Sequence, residues 1–297
     1  MLSVLIPVYN FDIRQLIKDL YQQLVDAHII FEIVCYDDGS DTAYKILNRS
    51  ILSQFPHTHV TYTELPENLG RARIRNALAQ ASNYEFLLFM DCDSKVVSPN
   101  YIKYYIEHLQ HDTLLYGGRC YAPTPPDRPE LYLHWHYGTR REQMSASIRQ
   151  QNPYHAFMTN NFLIPKIIFN KIKFDERLTQ YGHEDTLFGW ELQNRQIKIM
   201  HLDNPLEHIG LEENKIFLNK SRQGIDNLVF LSKEQPKLAT RLLKTYHILQ
   251  KWKLTDIIYF ILNILYPFIE KQLQASKPHL RWFDLYKLYW LLKIQRR

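Results

Sequence analysis

From Ser3 to Asp91 the chain alternates short, β-rich apolar runs with segments whose apolar residues recur at helical spacing, and this alternation constrains its fold more than any other feature. "SVLIPVY" reads as a first strand. Asp12 to Ala27 follows, with Ile13, Leu16, Ile17, Leu20 and Leu24 on one helical face and Asp12 placed as an N-cap. "FEIVCYD" is a second strand, Thr42 to Ser53 a helix, "HVTYTEL" a third strand, "GRARIRNALAQAS" a helix and "YEFLLFMD" a fourth strand. The order β-α-β-α-β-α-β predicts an α/β fold with a mostly parallel sheet covered on both faces. In such sheets ligands bind beyond the carboxyl ends of the strands.

Polar clusters stand at three of those ends: Tyr9 and Asn10 after the first strand, Asp37, Asp38, Gly39 and Ser40 after the second, and Asp91, Cys92 and Asp93 after the fourth. Alone, an Asp-x-Asp describes a solvated turn as well as a metal site, because two close carboxylates need a compensating proton, hydrogen bond or cation. Arg71, Arg73 and Arg75 open the helix after the third strand, where the positive helix end adds to their charge. Carboxylates for a cation beside arginines suit a metal-bridged diphosphate. Neither G-x-G-x-x-G nor G-x-x-x-x-G-K is present, which argues against a dinucleotide fingerprint or a P-loop.

Taken together, "SVLIPVYN", "YDDGSDT", "ENLGRARIRNALA" and "FLLFMDCDS" resemble the N-terminal half of the inverting family 2 glycosyltransferases with the GT-A fold, and "YGHEDTLFGWEL" is similar to their Glu-Asp acceptor-side motif. That second motif also resembles galactosyl- and N-acetylgalactosaminyl-transferring GT-A enzymes. The resemblance covers roughly residues 1–230. It implies that Pro7, Tyr9 and Asn10 border the nucleotide and that Asp37 and Asp38 hold the uracil or ribose of a UDP-hexose or UDP-N-acetylhexosamine. It also implies that Arg71, Arg75, Asp91, Cys92 and Asp93 surround the diphosphate. Asp91 and Asp93 would hold a divalent cation, Mn2+ in preference to Mg2+, with His208 as third ligand. Arg75 matches the family's arginine although Ile74 replaces the small residue before it. Asp185 matches the base that deprotonates the acceptor hydroxyl, and Glu184 would orient acceptor or donor.

Further assignments are looser. Lys220 and Arg222 are expected in a mobile segment closing over the diphosphate, and Asn160 and Asn161 in "TNNFLIPK" along the donor sugar. Trp135 and His136, in "LYLHWHYGTRR", are expected on an acceptor-side surface for a glycan or lipid-linked saccharide. A sugar nucleotidyltransferase would need a glycine-rich, lysine-containing N-terminal loop, which "PVYNFDIRQ" is not. A noncatalytic sugar- or membrane-binding module would not need Asp91, Asp93 and Asp185 intact.

Charge and cysteine content bear on partners and place. Residues 251–297 carry nine basic side chains against three acidic ones, a net +6, so residues 1–250 hold −1 of the total +5. Basic excess confined to a tail argues against a nucleic-acid partner. The division expected is a glycosyltransferase domain over 1–230, with a nucleotide-sugar half at 1–120 and an acceptor half at 121–230, then a helical extension over 231–297. Within the extension, "LTDIIYFILNILYPFI" is too short and interrupted to span a bilayer, and "LRWFDLYKLYWLLKI" places Trp282, Tyr286, Tyr289 and Trp290 on one side, as in an interfacial helix. The same helices could pack on the catalytic domain or on a second copy as a homodimer. Three cysteines without paired spacing and an N-terminus lacking a basic leader favour a reducing cytoplasm, with the protein peripheral on the inner face of the membrane.

Overall fold

The computed structural model describes residues 1–177, 182–235 and 240–296; Tyr181, which opens the acidic motif, lies outside them. Two compact units are formed, one by residues 1–122, 142–177 and 184–210, the other by 123–141, 182–183, 211–235 and 240–296. In the first, β1 (Leu2–Val8), α1 (Arg14–Asp26), β2 (Phe31–Asp37), α2 (Thr42–Arg49), β3 (Val60–Glu64), α3 (Arg71–Ala81) and β4 (Phe86–Met90) realise the expected alternation. Then come β5 (Ser94–Val96), α4 (Tyr101–Glu107), β6 (Thr113–Tyr116) and β7 (Arg119–Cys120). After α5 (Tyr132–Tyr137), which belongs to the second unit, the first resumes with α6 (Ala146–Gln150), β8 (Asn161–Pro165), α7 (Lys166–Ile172), α8 (Glu184–Asn194), β9 (Lys198–His201) and β10 (Leu206–His208).

The main sheet runs β3-β2-β1-β4-β8-β6-β9, with β1 to β4 parallel and β8 antiparallel to both neighbours. Side chains alternate across it. Val4, Ile6, Leu88 and Met90 enter one core with α1 and α4, while Leu5, Leu87 and Phe89 enter the other with α3, α7 and α8. Pro7, which lacks an N–H, stands where β1 keeps its β2 partner but the β4 ladder has ended. Asp12 serves α1 from one position farther out than expected: Ile13 is the cap, and the Asp12 carboxylate accepts from the Arg14 N–H at 3.0 Å.

The second unit contains α5, α9 (Asn214–Glu234), α10 (Arg241–Lys251), α11 (Thr255–Leu273) and α12 (Leu280–Gln295). Its core joins Leu133, Phe217, Leu218, Leu262, Ile269 and Phe283. The Leu133 N–H donates to Asn214 Oδ1 at 3.0 Å and the His134 ring stacks on Phe217 at 4.4 Å, which draws α5 to α9. Residue 230, the division expected from sequence, falls inside α9. The aromatic side of α12 does not face outward. Tyr286 and Tyr289 are buried in this core, with Tyr289 stacked on Tyr259 and Tyr286 donating to the Leu218 carbonyl, because facing aromatic rings bury more apolar area than solvent allows them. Among the described residues no helix is long and apolar enough to cross a membrane.

Candidate active site

The carboxyl ends of β1 and β2 are laced together by hydrogen bonds. Asn10, at φ 48°, donates its N–H to Ser40 Oγ and accepts from the Asp41 N–H, both at 2.8 Å. Asp37 is fully buried and accepts from the Ser40 N–H at 2.7 Å and the Tyr62 hydroxyl at 2.6 Å. Asp38 accepts from the Leu69 and Gly70 N–H groups at 2.6 and 3.2 Å, and burial pushes its carboxyl up against the pull of those amides. Asp38 thereby fixes the turn into α3, where Gly70 at φ +81° takes a conformation that side chains disfavour. Tyr9 remains more than half exposed beside this network.

Helix α3 carries the arginines in different directions. Arg73 lies outward, 3.8 Å from Glu176. Arg75 is buried and meets Asp91 Oδ1 at 2.6 Å, while Arg71 Nη1 meets Glu184 Oε1 at 3.0 Å. The other oxygen of Asp91 faces Arg119 at 3.2 Å, and Arg119 also reaches Glu142, which accepts from the Tyr121 hydroxyl. Asp91, expected beside Asp93 as a metal ligand, is therefore held between two guanidinium groups that neutralise it.

Asp93 has a different environment, made by the small sheet β5-β10-β7. The register pairs His208 with Ser94, so the imidazole comes alongside Asp93, with Nδ1 3.4 Å from Oδ1. That Oδ1 is buried and accepts no hydrogen bond of good geometry among the described residues. Burial works to raise the Asp93 carboxyl, but His208, Arg119 and Arg71 outweigh it and hold the group well below the usual carboxylate range. A Cβ on Gly210 would come within 2.5 Å of Asp93 Oδ2, so the absence of a side chain there leaves that oxygen its space. A half-buried carboxylate and a buried imidazole facing each other are a donor set that Mn2+ accepts. Two such side chains converge here, and among the described residues no group of three or more His, Cys, Asp or Glu side chains could hold an ion. Cys92 between the aspartates is an inert thiol, raised to about 12 by burial and then by the neighbouring carboxylates.

At the start of α8 the two carboxyls part ways. Burial would raise Glu184, yet Arg71 and Arg75 hold it below its ordinary value. Asp185 is pushed up to about 6, first by burial and second by the Glu184 charge, with Thr186 N–H at 2.7 Å and Arg71 pulling the other way. Arg71 thus acts on Asp93, Glu184 and Asp185 alike.

Several expected contacts have structural partners instead. Asn161 is fully buried, donates to the carbonyls of Gly118 and Asn204 and accepts from Tyr101 and Tyr105, so its amide has no group left for a sugar. Asn160 accepts from the Tyr116 hydroxyl. Lys220 and Arg222 lie within α9 of the second unit rather than in a mobile loop, Lys220 paired with Glu212 and Arg222 over the Trp290 ring at 4.5 Å. Their segment is helical because Phe217, Leu218, Ile225 and Leu228 supply a buried stripe. Trp135 and His136 lie on α5 of the same unit, their rings stacked. Arg119 and Glu142 escaped the sequence reading, and no motif marks them; the neighbouring Gly117 and Gly118 instead leave room for Asn161 and Arg149.

The Glycosyl transferase family 2 description matches residues 3–174. The chain is 25% identical over 223 residues to a chondroitin synthase of Escherichia coli, which covers 64% of this chain and 32% of that protein. It is 22% identical over 185 residues to a teichoic acid poly(glycerol phosphate) polymerase of Staphylococcus epidermidis, which covers 61% of this chain and 24% of that protein. Both relatives are thus matched over a third of their length or less. Among solved structures, a mannosyltransferase of Pyrobaculum calidifontis in complex with GDP-Man and Mn2+ superposes with a TM-score of 0.51 at 12% identity, over 77% of this chain and 64% of that one, which places the architecture with the GT-A fold. With more than half of its length matched by the family description, the chain belongs to glycosyltransferase family 2.

Proposed function

We propose that this protein transfers a sugar, with inversion, from a nucleoside diphosphate sugar of the UDP-hexose or UDP-N-acetylhexosamine class to a hydroxyl of a glycan or lipid-linked saccharide. The observation that carries this reading is the division of carboxylates in the first unit: Asp93 facing His208, Asp91 between Arg75 and Arg119, and Asp185 raised beside an ionised Glu184. The relatives' names, chondroitin synthase and teichoic acid polymerase, favour a growing polymer as acceptor.

Asp93 and His208 would hold a divalent cation, whose positive charge would offset the negative charge of the diphosphate. Exposed Tyr9 offers a ring for a nucleobase, next to a turn that Asp37 and Asp38 keep rigid. Arg71 stands between the acidic motif and the aspartates and lends its charge to the leaving group. Asp185 accepts the proton of the acceptor hydroxyl as that oxygen bonds to the anomeric carbon, and the bond from that carbon to the diphosphate breaks with its electron pair on the phosphate oxygen. Its raised value suits this task, since a base titrating at about 6 is ionised at neutral pH and more basic than an ordinary aspartate. The complete protein is tested by offering it a panel of nucleotide sugars with Mn2+ and following slow donor hydrolysis. One donor class hydrolysed in the presence of Mn2+ and spared by EDTA is the expected result, and no hydrolysis of any donor overturns the reading.

A further inference from the structure

Helix α11 is apolar nearly all round, yet among the described residues only one of its sides is packed. Leu262, Ile269 and Leu273 are buried against the second unit's core. On the other side Ile257, Phe260, Ile261, Ile264, Leu265 and Phe268 are exposed, Phe260 at 65% and Ile264 at 63%. Their spacing of three and four residues makes one continuous stripe, and a helix rise of 1.5 Å per residue makes it ~16 Å long. No charged residue occurs from Ile257 to Ile269. Soluble surfaces seldom leave such a stripe uncovered.

The ends of the stripe identify what covers it. Trp252, 68% exposed, precedes the helix with Lys251 and Lys253 on either side, and Lys271 follows Phe268 at i+3 on the same face. Asp256, the acid nearest the stripe, is paired with Arg296 at 2.7 Å. A second copy docked stripe to stripe would set Lys271 against Lys271 when parallel, or against Lys251 and Lys253 when antiparallel. Cation meets cation either way. An anionic lipid surface meets all three lysines with opposite charge, accepts a convex apolar ridge without shape complementarity and receives an exposed tryptophan at headgroup depth.

We propose that the outer face of α11, rather than the aromatic side of α12, lies in the interface of an anionic bilayer. The helix lies along the surface and does not cross it. The inference is independent of the transferase reading, because its readout is vesicle binding. Full-length protein is mixed with phosphatidylglycerol–phosphatidylcholine vesicles or with phosphatidylcholine alone and floated on a density gradient. It should float with the anionic vesicles and lose most of that binding in high salt. Phe260→Glu with Ile264→Glu should lower the bound fraction ~10-fold or more, and joint Lys251→Gln, Lys253→Gln and Lys271→Gln should weaken binding to anionic vesicles selectively. Ile46→Glu, which alters an equally exposed isoleucine in the first unit, should float like the native chain. Phe260→Ser with Ile264→Ser carries the same reading if the glutamates disturb folding. Failure of the native chain to float, or flotation untouched by the stripe variants, overturns the proposal. So does a dimer in light scattering that the stripe variants convert to monomer.

Discussion

Asp91 meets two guanidinium groups and Asp93 an imidazole, so variants of the two should fail differently. Asp93→Ala should abolish transfer and weaken UDP binding in Mn2+ to the level that EDTA produces in the native protein, with folding intact. Calorimetry of UDP with and without EDTA checks this, and equal affinities would exclude a metal-bridged site. Asp91→Ala leaves Arg75 and Arg119 buried without their shared partner and should also cost about 3–5 kcal/mol of stability in urea unfolding. At the acidic motif, Asp185→Asn should lower turnover ~10²-fold or more with donor affinity nearly intact. The native pH–rate profile should fall on the acid side through about 6, because Asp185 as the proposed base must be ionised to accept a proton. Glu184→Gln removes a neighbouring negative charge, makes ionisation of Asp185 easier and should move that limb to lower pH. A limb that stays in place assigns the titration to another group.

The elements that build the site differ in how they are encoded. Strands β1 to β4 and helices α1 to α3 were legible because each carries its own period and sits next in the chain to the element it packs on. The small sheet β5-β10-β7 was not, since three short strands far apart in sequence carry little period, and the pairing of Ser94 with His208 is settled only when the long-range register forms. Gly210 ends that connection beside Asp93, and Gly210→Ala should displace the carboxylate and lower turnover ~10²-fold while the protein stays folded. Asn161 was assigned to the donor sugar because a polar residue at a strand start reads the same whether it faces a cleft or a core. Asn161→Ala should cost about 3 kcal/mol of stability, and in the protein that remains folded UDP affinity should be unchanged.

Over the whole molecule, the C-terminal segment is part of a core as well as a surface. Phe217 and Leu218 of α9 pack on Phe283 and Tyr286 of α12, so removing residues 251–297 strips the cover from α9. That truncation should lower the thermal midpoint and cause aggregation, whereas substitutions confined to exposed Phe260 and Ile264 should leave the midpoint unchanged; scanning fluorimetry of both separates the two effects. The net charge divides as the sequence showed, +6 in residues 251–297 against −1 elsewhere.

By itself the sequence determined the α/β alternation, the sheet ends where polar residues gather, the Asp-x-Asp and Glu-Asp motifs and the basic tail, because each is written in neighbouring residues and short periods. The tertiary structure decided which partner each charged group meets. It gave Asp91 to Arg75 and Arg119, Asp93 to His208, Glu184 to Arg71 and the rings of α12 to the interior. Those choices depend on distance and desolvation between residues far apart in the chain, and a carboxylate or an aromatic ring carries the same letter in either environment.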